Sequence, residues 1–171
     1  MIRHILFLFT IGSILLGLNS ESRAQSLFIP GGVNYVEVGD LDVSGDQITV
    51  EALVTQMGPA LNIVSKHTLA ADANYLLRPD RAELTTTSGY VNLLSGYALN
   101  IGECYHVAFT YNGAAVKYYL NGCLAASVPH TGVLVQNDLM TAIGDQSDCQ
   151  CETWNGYLDE VRIWNVARSE A

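Results

Sequence analysis

Lysine and arginine are scarce in this chain. Only 8 of its 171 residues are basic, against 17 aspartates and glutamates, and the formal net charge is −9. Nucleic acids and anionic membrane surfaces are held by clustered basic side chains, so neither is an expected partner. The G-x-S-x-G elbow is missing, as are H-E-x-x-H and any C-x-x-C pair. Nothing in the sequence therefore supports a serine hydrolase or a zinc site. No internal repeat, low-complexity linker or block of like charge divides the chain, and no long helical period runs through it.

One long apolar run is present, Ile5 to Leu18, behind Arg3 and His4 and ahead of Ser22-Arg23-Ala24. A basic start, a short apolar stretch and small residues before a cut make up a secretory signal peptide, and this run is too short to span a bilayer. Residues 1–24 are expected to be removed on export. The chain from Gln25 is then more acidic still, because the leader takes Arg3 and Arg23 with it but only Glu21. No cysteine stands at the cut to carry a lipid, and no later stretch is long and apolar enough for a transmembrane segment. Residues 25–171 suit one domain, since single domains commonly run to ~100–150 residues. A secreted or cell-surface location favours disulfides for the four cysteines, Cys104, Cys123, Cys149 and Cys151.

The stretch CYHVAFTYNGAAVKYYLNGC, residues 104–123, reads as two strands about Asn112-Gly113, a dipeptide that supplies the positive φ of a tight turn. Tyr105, Val107, Phe109 and Tyr111 alternate with His106, Ala108 and Thr110, the period of a strand with one buried face. A turn centred there sets Cys104 opposite Cys123, within bridging reach. Cys104–Cys123 is the expected disulfide. Cys149 and Cys151 stand one residue apart. Either they close a strained ring or one or both pair elsewhere, and spacing alone does not decide.

Short β-rich runs continue at 35–38, 47–54, 62–67, 74–79, 82–87, 89–95, 123–128, 139–144 and 156–164, punctuated by Gly, Asn, Asp and Pro. That pattern predicts an all-β fold, a two-sheet antiparallel jelly-roll sandwich.

The segments SLFIPGGVNYVEV, ITVEALV, NIVSKH, YHVAFTYNGAAVKYYLNG, TAIG and NGYLDEVRIWNVARS follow one another in that order. Together they resemble the LamG-like, concanavalin A-like jelly-roll domain of the bacterial laminin G/pentraxin type, over about residues 26–171. Leu53 and Cys104 stand where that family usually has tryptophan. The first departure implies a repacked core, and the second fits the expected disulfide. The family domain normally continues beyond ARS, so the chain is expected to be part of a longer protein, truncated at the C-terminal end of the domain.

The resemblance also implies that GYLDEVRIW returns to pair with the N-terminal strands. Adjacent strand residues point to opposite faces, so Asp159 and Glu160 cannot converge on one glycosidic bond. Glu160 and Arg162 share a face and are placed to pair. Glu37, Asp40 and Asp42 read as loop or edge residues kept for solubility. His106 reads as packed and hydrogen-bonded within the hairpin, and neither His67 nor His130 has a neighbour that suggests a triad. No catalytic residue is expected.

Calcium takes six to eight oxygen ligands from side chains and carbonyls. GDQSDCQCE (144–152) offers Asp145, Gln146, Asp148 and Glu152, and LAADANY (69–75) offers Asp72 and Asn74. Pentraxins hold calcium with an Asp-Asn pair after the counterpart of NIVSKH and an acidic loop after the counterpart of TAIG. By that resemblance Asp72, Asn74, Gln146 and Asp148 carry over as a ligand set. Two departures stand out: Asp72 and Asn74 are not adjacent, and Gln146 replaces an acidic residue. Tyr90, Tyr97 and Trp154, near strand ends or loops, are the aromatic candidates to stack on a sugar. The expected function is a non-catalytic recognition or adhesion module for a glycan or extracellular protein, with calcium as candidate cofactor. The competing readings are a structural spacer in a large surface protein and, behind it, a glycoside hydrolase.

Overall fold

The computed structural model describes residues 26–68, 73–146 and 148–169. The expected leader, residues 1–24, lies outside them, as does Asp72. The described residues form strands and no helix. In chain order these are β1 (Leu27–Pro30), β2 (Val36–Glu37), β3 (Ile48–Gln56), β4 (Val64–His67), β5 (Ala73–Leu77) and β6 (Arg81–Thr86). There follow β7 (Gly89–Leu94), β8 (Cys104–Tyr111), β9 (Ala115–Leu120), β10 (Cys123–Pro129), β11 (Ala142–Ile143) and β12 (Asn155–Trp164). Two six-stranded antiparallel sheets result, ordered β1-β12-β3-β8-β9-β10 and β2-β11-β4-β5-β6-β7. This is the expected concanavalin A-like jelly-roll sandwich.

Alternation along the strands builds the core between the sheets. Ile48, Val50, Ala52 and Val54 of β3 join Val107, Phe109 and Tyr111 of β8 and Val116 and Tyr118 of β9. Tyr75, Leu77, Ala82 and Leu84 meet them from the second sheet. The intervening residues, such as Glu51, His106, Glu83 and Asn92, are left to the outer faces.

Strand β12 closes the first sheet by lying between β1 and β3. Gly156 makes the tight passage possible: its φ is +144°, and a Cβ there would stand 2.0 Å from the Thr55 carbonyl oxygen. A bulge between Asp159 and Arg162 interrupts the simple alternation, with Glu160 at φ +50°. Glu160 still pairs with Arg162. Arg162 also approaches Glu51, which accepts from Trp164 Nε1 at 2.9 Å and Arg168 Nη1 at 2.6 Å and lies 3.2 Å from His106 Nε2. Burial pushes the Glu51 carboxyl up, but these donors and the Arg168 charge outweigh it and hold the pKa below the usual carboxylate value. His106 is thus hydrogen-bonded in its strand, as its position implied.

The β8–β9 register follows the Asn112-Gly113 turn, with Val107 opposite Leu120. The expected Cys104–Cys123 bridge nonetheless does not form. A second tight turn, Asn121 at φ +51° and Gly122 at φ +76°, reverses the chain so that Cys123 pairs with Leu120 on the far side of β9. Cys104 and Cys123 are separate, exposed thiols. The disulfide joins Cys149 to Cys151.

Asp40 and Asp42 are likewise more than solubilising residues. The Lys66 ammonium is fully buried and reaches Asp40 at 2.5 Å, Asp42 at 3.2 Å and the Asn137 carbonyl at 2.9 Å, with the Leu139 carbonyl as a further acceptor. It clamps two loops to β4. Removing one partner of a buried pair costs about 3–5 kcal/mol, less where the other partner can be hydrated. Asp40 is half exposed, so Lys66→Met should lower stability by roughly 2–3 kcal/mol. A urea midpoint equal to wild type would show that the loops hold without it.

Candidate functional site

The outer face of the second sheet carries a polar cleft of about 210 Å³. Ala82 and Leu84 turn into the core, which sends Arg81 and Glu83 of β6 outward. Glu83 stands between Leu76 of β5 and Asn92 of β7, and Thr85 faces Tyr90. His67 at the end of β4, Thr68 beside it, Arg78 just after β5 and Glu152 from the β11–β12 loop complete the lining.

Each charged group is held by another. Glu152 lies 3.3 Å from His67 Nε2 and 3.3 Å from Arg78 Nη1, and accepts from Asn62 Nδ2 at 3.1 Å. Arg81 lies 3.6 Å from Glu83 and bonds Asp80 at 2.8 Å. The Tyr90 hydroxyl donates to Glu83, and burial together with that bond raises its pKa well above the usual phenol value. The Tyr90 ring is 41% exposed at the rim. Burial depresses the His67 pKa although Glu152, Glu83 and Asp148 pull it up. His67 Nε2 faces the Glu152 carboxylate at 3.3 Å, and Nδ1 is buried without a hydrogen-bond partner among the described residues.

The β11–β12 loop is pinned from within. Asp145 is fully buried and accepts from the backbone N–H of Gln146 and Glu152 at 2.7 and 2.9 Å and from the Thr153 hydroxyl at 3.1 Å. Trp154 lies wholly in the core. It therefore offers no face to a sugar, and that expectation is corrected. Tyr97 is 54% exposed and does not line this cleft, which Tyr90 borders.

Of the four candidate calcium ligands, Asp72 lies outside the described residues, and Asn74 is engaged within the fold. Register slips by one between Lys66–Tyr75 and His67–Ala73, so Asn74 is the extra residue of a bulge. Its amide accepts from Val43 N at 3.0 Å and donates to the carbonyls of Val43 and Val135 at 3.2 and 2.9 Å. Those bonds occupy the group in stitching loops together. Gln146 and Asp148 do meet, at 2.5 Å between Nε2 and Oδ1, and Gln146 Oε1 is buried with no hydrogen-bond partner. Among the described residues no three His, Cys, Asp or Glu side chains gather at metal-ligating distance. A hard cation here would have to draw on amide and carbonyl oxygens.

Arg78, Arg81, Glu83, Asn92 and Glu152 were not singled out for this role. The only trace of Glu83 and Asn92 in the sequence is their outward place in alternating strands. Their convergence depends on which strands pair.

The sequence matches the laminin G family described as the concanavalin A-like lectin/glucanases superfamily over residues 30–171. The chain belongs to this family. No curated protein sequence matches it significantly. Among solved structures, a heptameric SAP-like pentraxin from Limulus polyphemus superposes with a TM-score of 0.62 at 17% identity, covering 82% of this chain and 76% of that one. Domain 4 of an extracellular GH43 arabinanase from Geobacillus stearothermophilus, in complex with arabinotriose, gives 0.61 at 20% identity, covering 80% and 68%. The CBM40 domain of a Ruminococcus gnavus sialidase, bound to α2,3-sialyllactose, gives 0.60 at 14% identity, covering 85% and 92%. At these identities the likeness establishes the fold.

The His67 environment makes the stability of this laminin G domain depend on pH. The folded state binds a proton at His67 less readily than the unfolded chain does, so stability is present above the unfolded value of about 6.5 and declines as pH falls below it. Thermal unfolding between pH 7.5 and 5.5 should show this decline, and His67→Gln should reduce it. Equal slopes in both proteins would contradict the assignment.

Proposed function

We propose that this laminin G domain is a non-catalytic extracellular recognition module that binds a glycan at the Tyr90 cleft. The observation that carries the reading is the half-exposed Tyr90 ring beside Glu83, Asn92, Arg81 and Arg78. An aromatic face suits the apolar C–H side of a sugar ring, while carboxylate, amide and guanidinium groups suit its hydroxyls. Two of the similar structures hold saccharides, arabinotriose in one and sialyllactose in the other. Glu83 and Glu152 are each tied to a cationic or hydroxyl partner within the protein, which favours binding over nucleophilic attack. The leader-like residues 1–24 and the Cys149–Cys151 disulfide support export. No described helix is long and apolar enough to cross a membrane.

Calcium enters this reading through Gln146 Oε1 and Asp148, with Asn74 left out and backbone carbonyls making up the set. When bound it would supply positive charge that holds the β11–β12 loop beside the cleft.

Calorimetric titration of neutral and acidic oligosaccharides tests the proposal, with calcium and with a chelator. Tyr90→Ala should weaken binding about tenfold, equivalent to ~1.4 kcal/mol, and Asp148→Ala should weaken it only when calcium is present. Equal affinity in Tyr90→Ala, or no binding across the set, would leave the spacer reading in its place.

A further inference from the structure

A second amphipathic surface lies on the other side of the sandwich, unconnected to the Tyr90 cleft. Phe28, Tyr157, Thr55 and Cys104 form one row across β1, β12, β3 and β8. Their neighbours Ile29 and Leu158 point into the core, so the row faces outward. Phe28 and Tyr157 are 51% and 41% exposed, with ring centroids 4.8 Å apart. Beside them is a cavity of about 240 Å³ that Tyr157 lines together with Ser26, Thr55, Leu53 and Asp159. Asp159 Oδ1 accepts the Glu160 N–H at 2.7 Å.

We infer that this row is a second saccharide site, specific for neutral sugar rings. Exposed aromatic faces carry a hydration penalty that a sugar's C–H face removes. Ser26, Thr55 and Asp159 place hydroxyl and carboxylate groups where the ring's hydroxyls would lie, matching the mixed polarity of a sugar better than an apolar peptide. Asp159, in a chain of net charge −9, repels an acidic saccharide. The two sites lie on outward faces of opposite sheets, so one sugar unit cannot occupy both. Together they let the domain bridge two glycan strands, with the gain in retention that two linked contacts provide.

The test is NMR of the aromatic side chains in the wild-type protein, Tyr90→Ala and Asp159→Asn. Probes are neutral gluco-, galacto-, xylo- and arabinotrioses, with α2,3-sialyllactose as the acidic control. At least one neutral triose should shift the Phe28 and Tyr157 ring resonances, equally in wild type and Tyr90→Ala and several-fold more weakly in Asp159→Asn. Unperturbed core resonances confirm that each variant is folded. Rings that stay still with every neutral triose overturn the inference, as does a response that disappears in Tyr90→Ala or is as strong for sialyllactose. Shifts at Phe28 and Tyr157 without any at Tyr90 would sink the first site and leave this one standing.

Discussion

The outer face of the second sheet is organised by one carboxylate. Glu152 comes from a connecting loop, yet it meets the His67 imidazole, the Arg78 guanidinium and the Asn62 amide, which lie on or beside β4 and β5. Two residues later the same loop buries Trp154 in the core, and Asp145 ties its first turn to its last. Those contacts set Glu152 in the wall of the cleft that Tyr90 borders. Charges of this kind must be paired where water is excluded. That requirement holds Arg78 in place beside Glu152.

Much of the fold was legible because it rests on local rules. The Asn112-Gly113 turn set the β8–β9 register, and alternation in YHVAFTY identified the face that became core. The same rules misled at Cys123. Asn121-Gly122 is a second turn of equal strength, and it moves Cys123 to the other side of β9 before it can meet Cys104. Asn74 failed for a similar reason, since one extra residue in β5 turned a loop candidate into an interior amide. The resemblance correctly placed GYLDEVRIW as a closing strand, although the bulge at Glu160 was not foreseen.

The site was far less legible. Its side chains come from β4, β6, β7 and two connecting segments, and they converge only because strands distant in sequence pair. Arg81, Glu83 and Asn92 look in the sequence like solvated positions of antiparallel strands. Asp40 and Asp42 looked alike in the same way, yet they neutralise a buried lysine. A single sequence shows which residues point outward, not which of them meet. The fold hosts binding modules and enzymes alike, so function has to be argued from the arrangement on its faces.

The most direct test of the central claim is the location of bound saccharide by backbone amide NMR. Titration of the intact domain with an oligosaccharide that binds it should perturb Arg81, Glu83, Tyr90 and Asn92 together, along with the loop around Glu152. Binding that leaves all of these amides unmoved would contradict the account and remove the outer face of the second sheet from the recognition surface.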